Sequence, residues 1–210
     1  MYRRTTPIAA AFAATAALLL SACGSGGGGD GDDIKGAGTQ NSAKPTPSSS
    51  SAADRPKMKQ AKDFTMSFEG AWTSSDPKSN AVLQDGKGRA ESVNSAVLKT
   101  DPNAPEVSFY NTGSALTTAK SWVAGFQKHD LTLTGRLKYF APKVQFKGDS
   151  AFLNYCSDES KAFSRDKKTG KANYDSSGKD NLVLYTTKLS KGQNGVWQTT
   201  AVESARGGCK

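Results

Sequence analysis

The chain is poor in the residues that carry most enzyme chemistry. It has one histidine, His129, in 210 residues, with three cysteines, three methionines and three tryptophans. With a single imidazole and no Gly-x-Ser-x-Gly elbow, no Ser/His/Asp nucleophile can be assembled from the sequence. One histidine and so few cysteines match no usual zinc spacing, so neither metal nor cofactor is expected. Acids are scarce beside bases: 19 Asp and Glu stand against 28 Lys and Arg, a net charge of +9. The excess is spread along the chain and reads first as a soluble, mixed-charge surface. Its functional reading is attraction to anionic lipid headgroups or anionic wall polymers. No nucleic-acid motif accompanies it, and nucleic acid is not an expected partner.

Long apolar runs are also missing, except at the N-terminus. Met1-Tyr2-Arg3-Arg4 is a short basic start, and Ile8–Leu20 is uncharged, apolar and too short to span a bilayer comfortably. Leu20-Ser21-Ala22-Cys23 follows and resembles the bacterial lipobox. That resemblance implies a signal peptide over residues 1–22, removed before Cys23. In that family of signals the Cys23 thiol receives a diacylglyceryl group, Cys23 becomes the new N-terminus, and the two acyl chains suffice for stable anchoring. The expected partner is thus the membrane, and the expected location is the outer face of the cytoplasmic membrane. Thr5-Thr6-Pro7 fits a twin-arginine signal poorly, which favours general secretion.

Residues 23–63 form the expected lipidated N-terminus and tether. Gly26–Gly29, Asp30, Asp32, Asp33, Pro45-Thr46-Pro47 and Ser48–Ser51 leave almost no apolar surface to offset ordering entropy. Asp30-Gly31-Asp32-Asp33 lacks the spaced ligands and terminal glutamate of a calcium loop.

Residues 64–210 are long enough for one domain with a real core. Phe64–Phe68 alternates as a strand. Asp76-Pro77 and a capping hydroxyl at Ser79 open a first helix over Ser79–Lys99, with Val82, Leu83, Ala90, Val93, Ala96 and Val97 on its apolar face. Gly86 and Gly88 weaken that helix and invite a bend or break. Asp101–Pro105 ends it, and Val107–Tyr110 is a brief apolar stretch. A second helix, Ala115–Lys128, with Ser114 as its cap, carries Leu116, Ala119, Val123 and Phe126 at helical spacing, and Trp122 widens that stripe. His129 closes it in a surface capping position. Strands follow over Leu131–Tyr139, from Val144 through Phe146, over Ala151–Cys156, Leu182–Leu189 and Val196–Val202, with Ala141-Pro142 as punctuation. Asp158–Asp180 reads as a charged connection with a turn at Lys167–Lys171. Helices followed by a run of antiparallel strands define an α+β fold.

Thr134–Tyr139, Leu153–Ser160, Val183-Leu184-Tyr185, Gly195–Thr200 and the late Cys209 together resemble small secreted actinomycete lipoproteins. The domain of that group is similar to the nuclear transport factor 2-like (NTF2-like, cystatin-like) fold. The resemblance covers roughly residues 71–209 and implies helices packed on a curved antiparallel sheet, a cone that can enclose a pocket. It implies no agreed activity.

With Cys23 lipidated, Cys156 and Cys209 remain, and two cysteines outside the membrane are expected to form one disulfide. A reactive thiol lacks an activating neighbourhood. Trp122, Tyr139, Tyr155 and Tyr185 are the candidate pocket residues, set against a simpler role in core or rim packing. The expected function is a non-catalytic module binding an apolar ligand, an anionic wall polymer or an envelope protein. The alternative is a small-molecule enzyme of ketosteroid-isomerase or cyclase type, which resemblance to the enzyme members would equip with an acid among tyrosines. Asp149, Asp158, Glu159 and Glu203 read as turn or strand-end residues, and none is placed inward.

Overall fold

A computed structural model describes residues 55–174 and 181–209, so the expected signal peptide, Cys23 and the tether through residue 54 lie outside the described residues. Residues 55–63, which composition assigns to the tether, carry specific contacts. Arg55 donates to Asp85 at 2.5 Å and to the Tyr110 hydroxyl at 3.2 Å. The Lys59 backbone N–H donates to Ser95 at 2.7 Å, and Asp63 pairs with Arg165 at 2.5 Å.

Helix α1 spans Pro77–Lys99. The Asp76 carboxylate accepts the Ser79 backbone N–H, so the cap lies three residues before the expected hydroxyl, and Pro77 fills the first turn where its missing N–H costs nothing. Thr100 in the left-handed conformation stops the helix. Val82, Leu83, Ala90, Ala96 and Val97 are buried as the apolar stripe requires. So are Asp85, Arg89, Ser92, Asn94 and Ser95, which places α1 inside the molecule on more than one face.

The expected weak point in α1 is absent, and the helix runs unbroken through both glycines. Gly86 lies against the Leu153 side chain and Gly88 against the Tyr110 ring, closer than any Cβ would allow. Their use is close approach, not flexibility. Gly88→Ala would gain about 1 kcal/mol of helix propensity in an open site, but overpacking against Tyr110 outweighs it. The expected net loss is about 1–2 kcal/mol in urea denaturation. Gly125→Ala, where nothing lies near the added methyl, is the control and gains stability.

Helix α2 covers Pro105–Tyr110. It replaces the expected apolar stretch because Pro105, read as a breaker, sits at the start of a helix, where proline is tolerated. Helix α3 runs Gly113–Lys128 and ends at His129, close to expectation. Thr112, not Ser114, precedes it, and the Ser114 hydroxyl donates instead to the Thr200 carbonyl.

Between α1 and α2, Glu106 is 1 % exposed and holds Lys99 at 2.6 Å and the Ser95 hydroxyl at 2.8 Å. Burial pushes its carboxyl up, but Lys99 and the hydrogen bonds outweigh that, and the net direction is below the ordinary glutamate range. A depressed value contributes stability that is complete above the unfolded pKa and lost as pH falls through the folded one. Glu106→Gln therefore costs about 2 kcal/mol at neutral pH, and the gap to wild type closes as the pH of the denaturation experiment is lowered.

The sheet contains β1 (Phe64–Phe68), β2 (Leu131–Lys147), β3 (Ser150–Asp166), β4 (Ala172–Asn173), β5 (Leu182–Lys191) and β6 (Trp197–Arg206). The order is β1-β2-β3-β5-β6, with β4 paired to the end of β3. Edge strand β1 runs parallel to β2, Phe64 opposite Gly135, and every other pairing is antiparallel. Ala141-Pro142 does not end β2. It is absorbed as an irregularity between Phe140 and Lys143, with Ala141 at a φ of 50°. A second register shift lies between Arg136 and Lys138, and such bulges bend and twist the long β2–β3 ribbon. Strand β3 continues to Asp166 through the segment read as a connection. The expected turn follows, where the Asp166 carboxylate accepts the backbone N–H groups of Lys168 and Thr169.

The helices pack against this curved sheet around Val82, Val97, Val123, Leu153 and Leu189, giving the α+β fold expected from the order of elements. Cys156 on β3 and Cys209 after β6 form the expected disulfide.

Candidate functional site

A cavity of about 500 Å³ lies between α1 and α3 on one side and β2, β3, β5 and β6 on the other. That volume falls within the range of small-molecule sites. Its wall is mainly apolar, with Val93, Ala119, Leu133, Leu137, Phe163 and Val183 contributing.

All four pocket candidates face this space: Trp122 from α3, Tyr139 from β2, Tyr155 from β3 and Tyr185 from β5. Trp122 does not widen the buried stripe of α3. It is 54 % exposed and packs edge-on to Phe126 at 5.2 Å, which puts it at the solvent edge of the cavity. The three tyrosines form a group. Tyr155 and Tyr185 stack at 5.1 Å, and Tyr139 meets Tyr155 edge-on at 5.8 Å. Phe68 stacks on Tyr139, and Trp72 abuts Tyr155, so these two rings are held by the core. Burial, then neighbouring Tyr185 and Tyr155, pushes the Tyr139 hydroxyl well above the ordinary phenol range. Burial, then the Glu159 charge, does the same for Tyr185. Both phenols remain protonated donors at any ordinary pH.

Two residues that sequence patterning left out complete the polar part. Arg89 is only 8 % exposed, yet it lines the cavity. Its Nη1 donates to the Tyr155 hydroxyl at 3.1 Å and its Nε to Asn111 at 3.3 Å. Beside it the Asn94 amide donates to the Tyr139 hydroxyl at 3.1 Å. Glu159 corrects the expectation that no acid faces inward. It lies within β3, not at a strand end, because β3 extends to Asp166. Its Oε1 accepts from the Tyr185 hydroxyl at 3.3 Å and from the Ser157 hydroxyl at 3.2 Å, and its Oε2 accepts from Arg206 at 3.0 Å. The pair has two environments: side-chain exposure is 60 % for Arg206 and 23 % for Glu159, which marks this side as the wetter one.

The site thus has a buried end rich in donors (Arg89, Tyr139, Tyr155), an apolar body and an ion pair nearer water. Cys156 and Cys209 are joined to each other, so neither supplies a thiol, and His129 stays at the end of α3 away from the cavity wall. Arg89 carried one signal in the sequence: it directly precedes Ala90 on the apolar face of α1 and sits within one turn of two close-packed glycines. Periodicity assigns such a charge to solvent by default.

No protein-family model matches this chain, and no curated protein matches it. Among solved structures, it is similar to an NTF2-like superfamily protein from Salmonella enterica serovar Typhimurium, at 13 % identity and a TM-score of 0.42, covering 61 % of this chain and 92 % of that one. It is also similar to a ketosteroid isomerase-like protein from Erwinia carotovora atroseptica, at 17 % identity and a TM-score of 0.35, covering 57 % and 92 %. A third is an NTF2-like protein with a cystatin-like fold from Novosphingobium aromaticivorans, at 13 % identity and a TM-score of 0.34, covering 63 % and 90 %. At such identities no activity transfers from these proteins to the present chain.

Proposed function

We propose that this protein is an extracytoplasmic lipoprotein, anchored through a diacylglyceryl group on Cys23, whose domain is a non-catalytic module binding a small and largely apolar molecule. The observation that carries the binding reading is the cavity of about 500 Å³, walled by apolar side chains and provided with a few oriented polar groups. The anchor rests on the lipobox resemblance at Leu20–Cys23 and the low-complexity segment behind it.

Native mass spectrometry of the full-length protein, exported by a bacterial host, tests the binding. A retained small molecule is expected in the wild type and is expected to be lost in Ala119→Trp, where the indole fills the cavity. A bare mass in both, after exposure to host extracts, would overturn the reading and leave an anionic wall polymer or an envelope protein as the partner to seek. Metabolic labelling with palmitate tests the anchor, with label expected on the wild type and none on Cys23→Ser.

Glu159 supports a second reading, small-molecule catalysis of isomerase or cyclase type, because it places an acid beside a tyrosine in the cavity wall. Binding is favoured because both Glu159 oxygens are already engaged, one by Arg206 and the other by Ser157 and Tyr185. A base so occupied must first break an ion pair before it can take a proton.

A further inference from the structure

Three donors meet at the inner end of the cavity without matching acceptors. The first is Arg89, a cation buried to 8 % exposure. A buried guanidinium is costly unless an anion offsets it, and among the described residues no carboxylate stands within ion-pairing distance of this one. Its protein partners, the Asn111 amide oxygen and the Tyr155 hydroxyl, are neutral. The other two donors are the phenols. The Tyr155 oxygen accepts from Arg89 and the Tyr139 oxygen accepts from Asn94, so each hydroxyl proton needs an acceptor of its own. Among the described residues no acceptor takes either proton, and both rings are at most 5 % exposed. Buried polar groups are normally satisfied, so three buried donors aimed at one space point to an acceptor there.

The opposite side has the other character. There Glu159 holds Arg206 and accepts from Tyr185, an ion pair whose two charges cancel. Because Glu159 already neutralises Arg206, an occupant with one anionic end gains more at Arg89, with its apolar part along Leu133, Val183 and Ala119.

We infer that the ligand of this cavity is an amphipathic carboxylate, its carboxylate held by Arg89 with the Tyr139 and Tyr155 hydroxyls and its hydrocarbon part filling the apolar body. This rests on the binding reading above and specifies its ligand class. Guanidinium and carboxylate match as a planar, charge-assisted pair, and the two phenols add donors where the remaining lone pairs lie.

The test compares decanoate with decanol, which differ in head charge and share their chain length. The full-length protein in nanodiscs is equilibrated with each at neutral pH, and bound ligand is counted by native mass spectrometry after release. The wild type is expected to prefer decanoate by about tenfold or more, the scale of a charged hydrogen bond. Arg89→Leu is expected to erase that preference while decanol binding persists, and Arg89→Lys to retain part of it. Tyr155→Phe weakens decanoate alone, which keeps the test open if Arg89→Leu fails to fold. Equal binding of the two ligands by the wild type would overturn the anion assignment and leave the cavity reading standing. Binding of neither would overturn both. Stronger binding of inorganic phosphate than of decanoate would overturn the carboxylate assignment in favour of a polar anion.

Discussion

Cys209→Ser is expected to lower the free energy of unfolding by about 4 kcal/mol, because the bond it removes closes a long loop in the unfolded chain. Cys156 and Cys209 are separated by 53 residues. The bond joins the middle of β3 to the segment after β6, skipping over β5 between them. In a domain of this size the loss corresponds to a fall of about 10 °C in Tm. Cys156→Ser should give the same value, and the double variant no more than either alone. The check is guanidinium denaturation with and without dithiothreitol. The reduced wild type should unfold with the variants, and a wild type indifferent to reductant would refute the expectation.

Asp85→Ala is expected to cost about 3 kcal/mol, since it strands the buried Trp197 N–H and removes the partner of the half-buried Arg55. Asp85 is 1 % exposed, accepts the Trp197 backbone N–H at 2.8 Å and pairs with Arg55. It therefore ties α1 to the start of β6 and to the segment before β1. Arg55→Ala should cost less, about 1 kcal/mol, because that side chain is 28 % exposed and part of its charge is already hydrated. In the Asp85→Ala background Arg55→Ala should cost less than in the wild type, leaving only its contact with Tyr110, which a double-mutant cycle would read as coupling. If the two losses simply add, residues 55–63 are not held through Asp85. Burial pushes the Asp85 carboxyl above its ordinary range, against the pull of the Trp197 amide and Arg55. Its pH sign is thus opposite to that of Glu106: a raised value adds stability in acid that is lost as pH rises through it.

Much of the frame was legible because it depends on local pattern. The Leu116-Ala119-Val123-Phe126 spacing of α3 and the strands read at Leu182–Leu189 and Val196–Val202 locate α3, β5 and β6 within a few residues. The misses have a common physical origin in tertiary context overriding a local default. Pro105 reads as a stop but begins α2. Gly86 and Gly88 read as weak points, and their reason for being glycine is the approach of Leu153 and Tyr110 from elsewhere in the chain. The charged run after Cys156 reads as a loop, yet pairing with β2 as far as Leu131 holds it as strand. That same error hid Glu159. The tyrosines could be picked as pocket candidates because aromatic residues on strands announce themselves. Arg89 could not, since periodicity assigns a helix cation to solvent, and this one is buried with no carboxylate at ion-pair distance among the described residues.

The parallel pairing of β1 also sets an order of events. Strands β2 and β3 are joined by a tight turn and can zip as a hairpin from neighbouring residues. Strand β1 has no such local route. Phe64 reaches Gly135 only after all three helices have been threaded between them, so its loop-closure entropy must be met before any ladder bond is gained. Until then the outer edge of β2, from Gly135 to Tyr139, stands open to any other strand that passes. Strand β1 is therefore expected to act as a late latch: the strand that closes the longest loop is the one that covers the open edge of β2, and a chain caught before that step is expected to be prone to edge-to-edge aggregation.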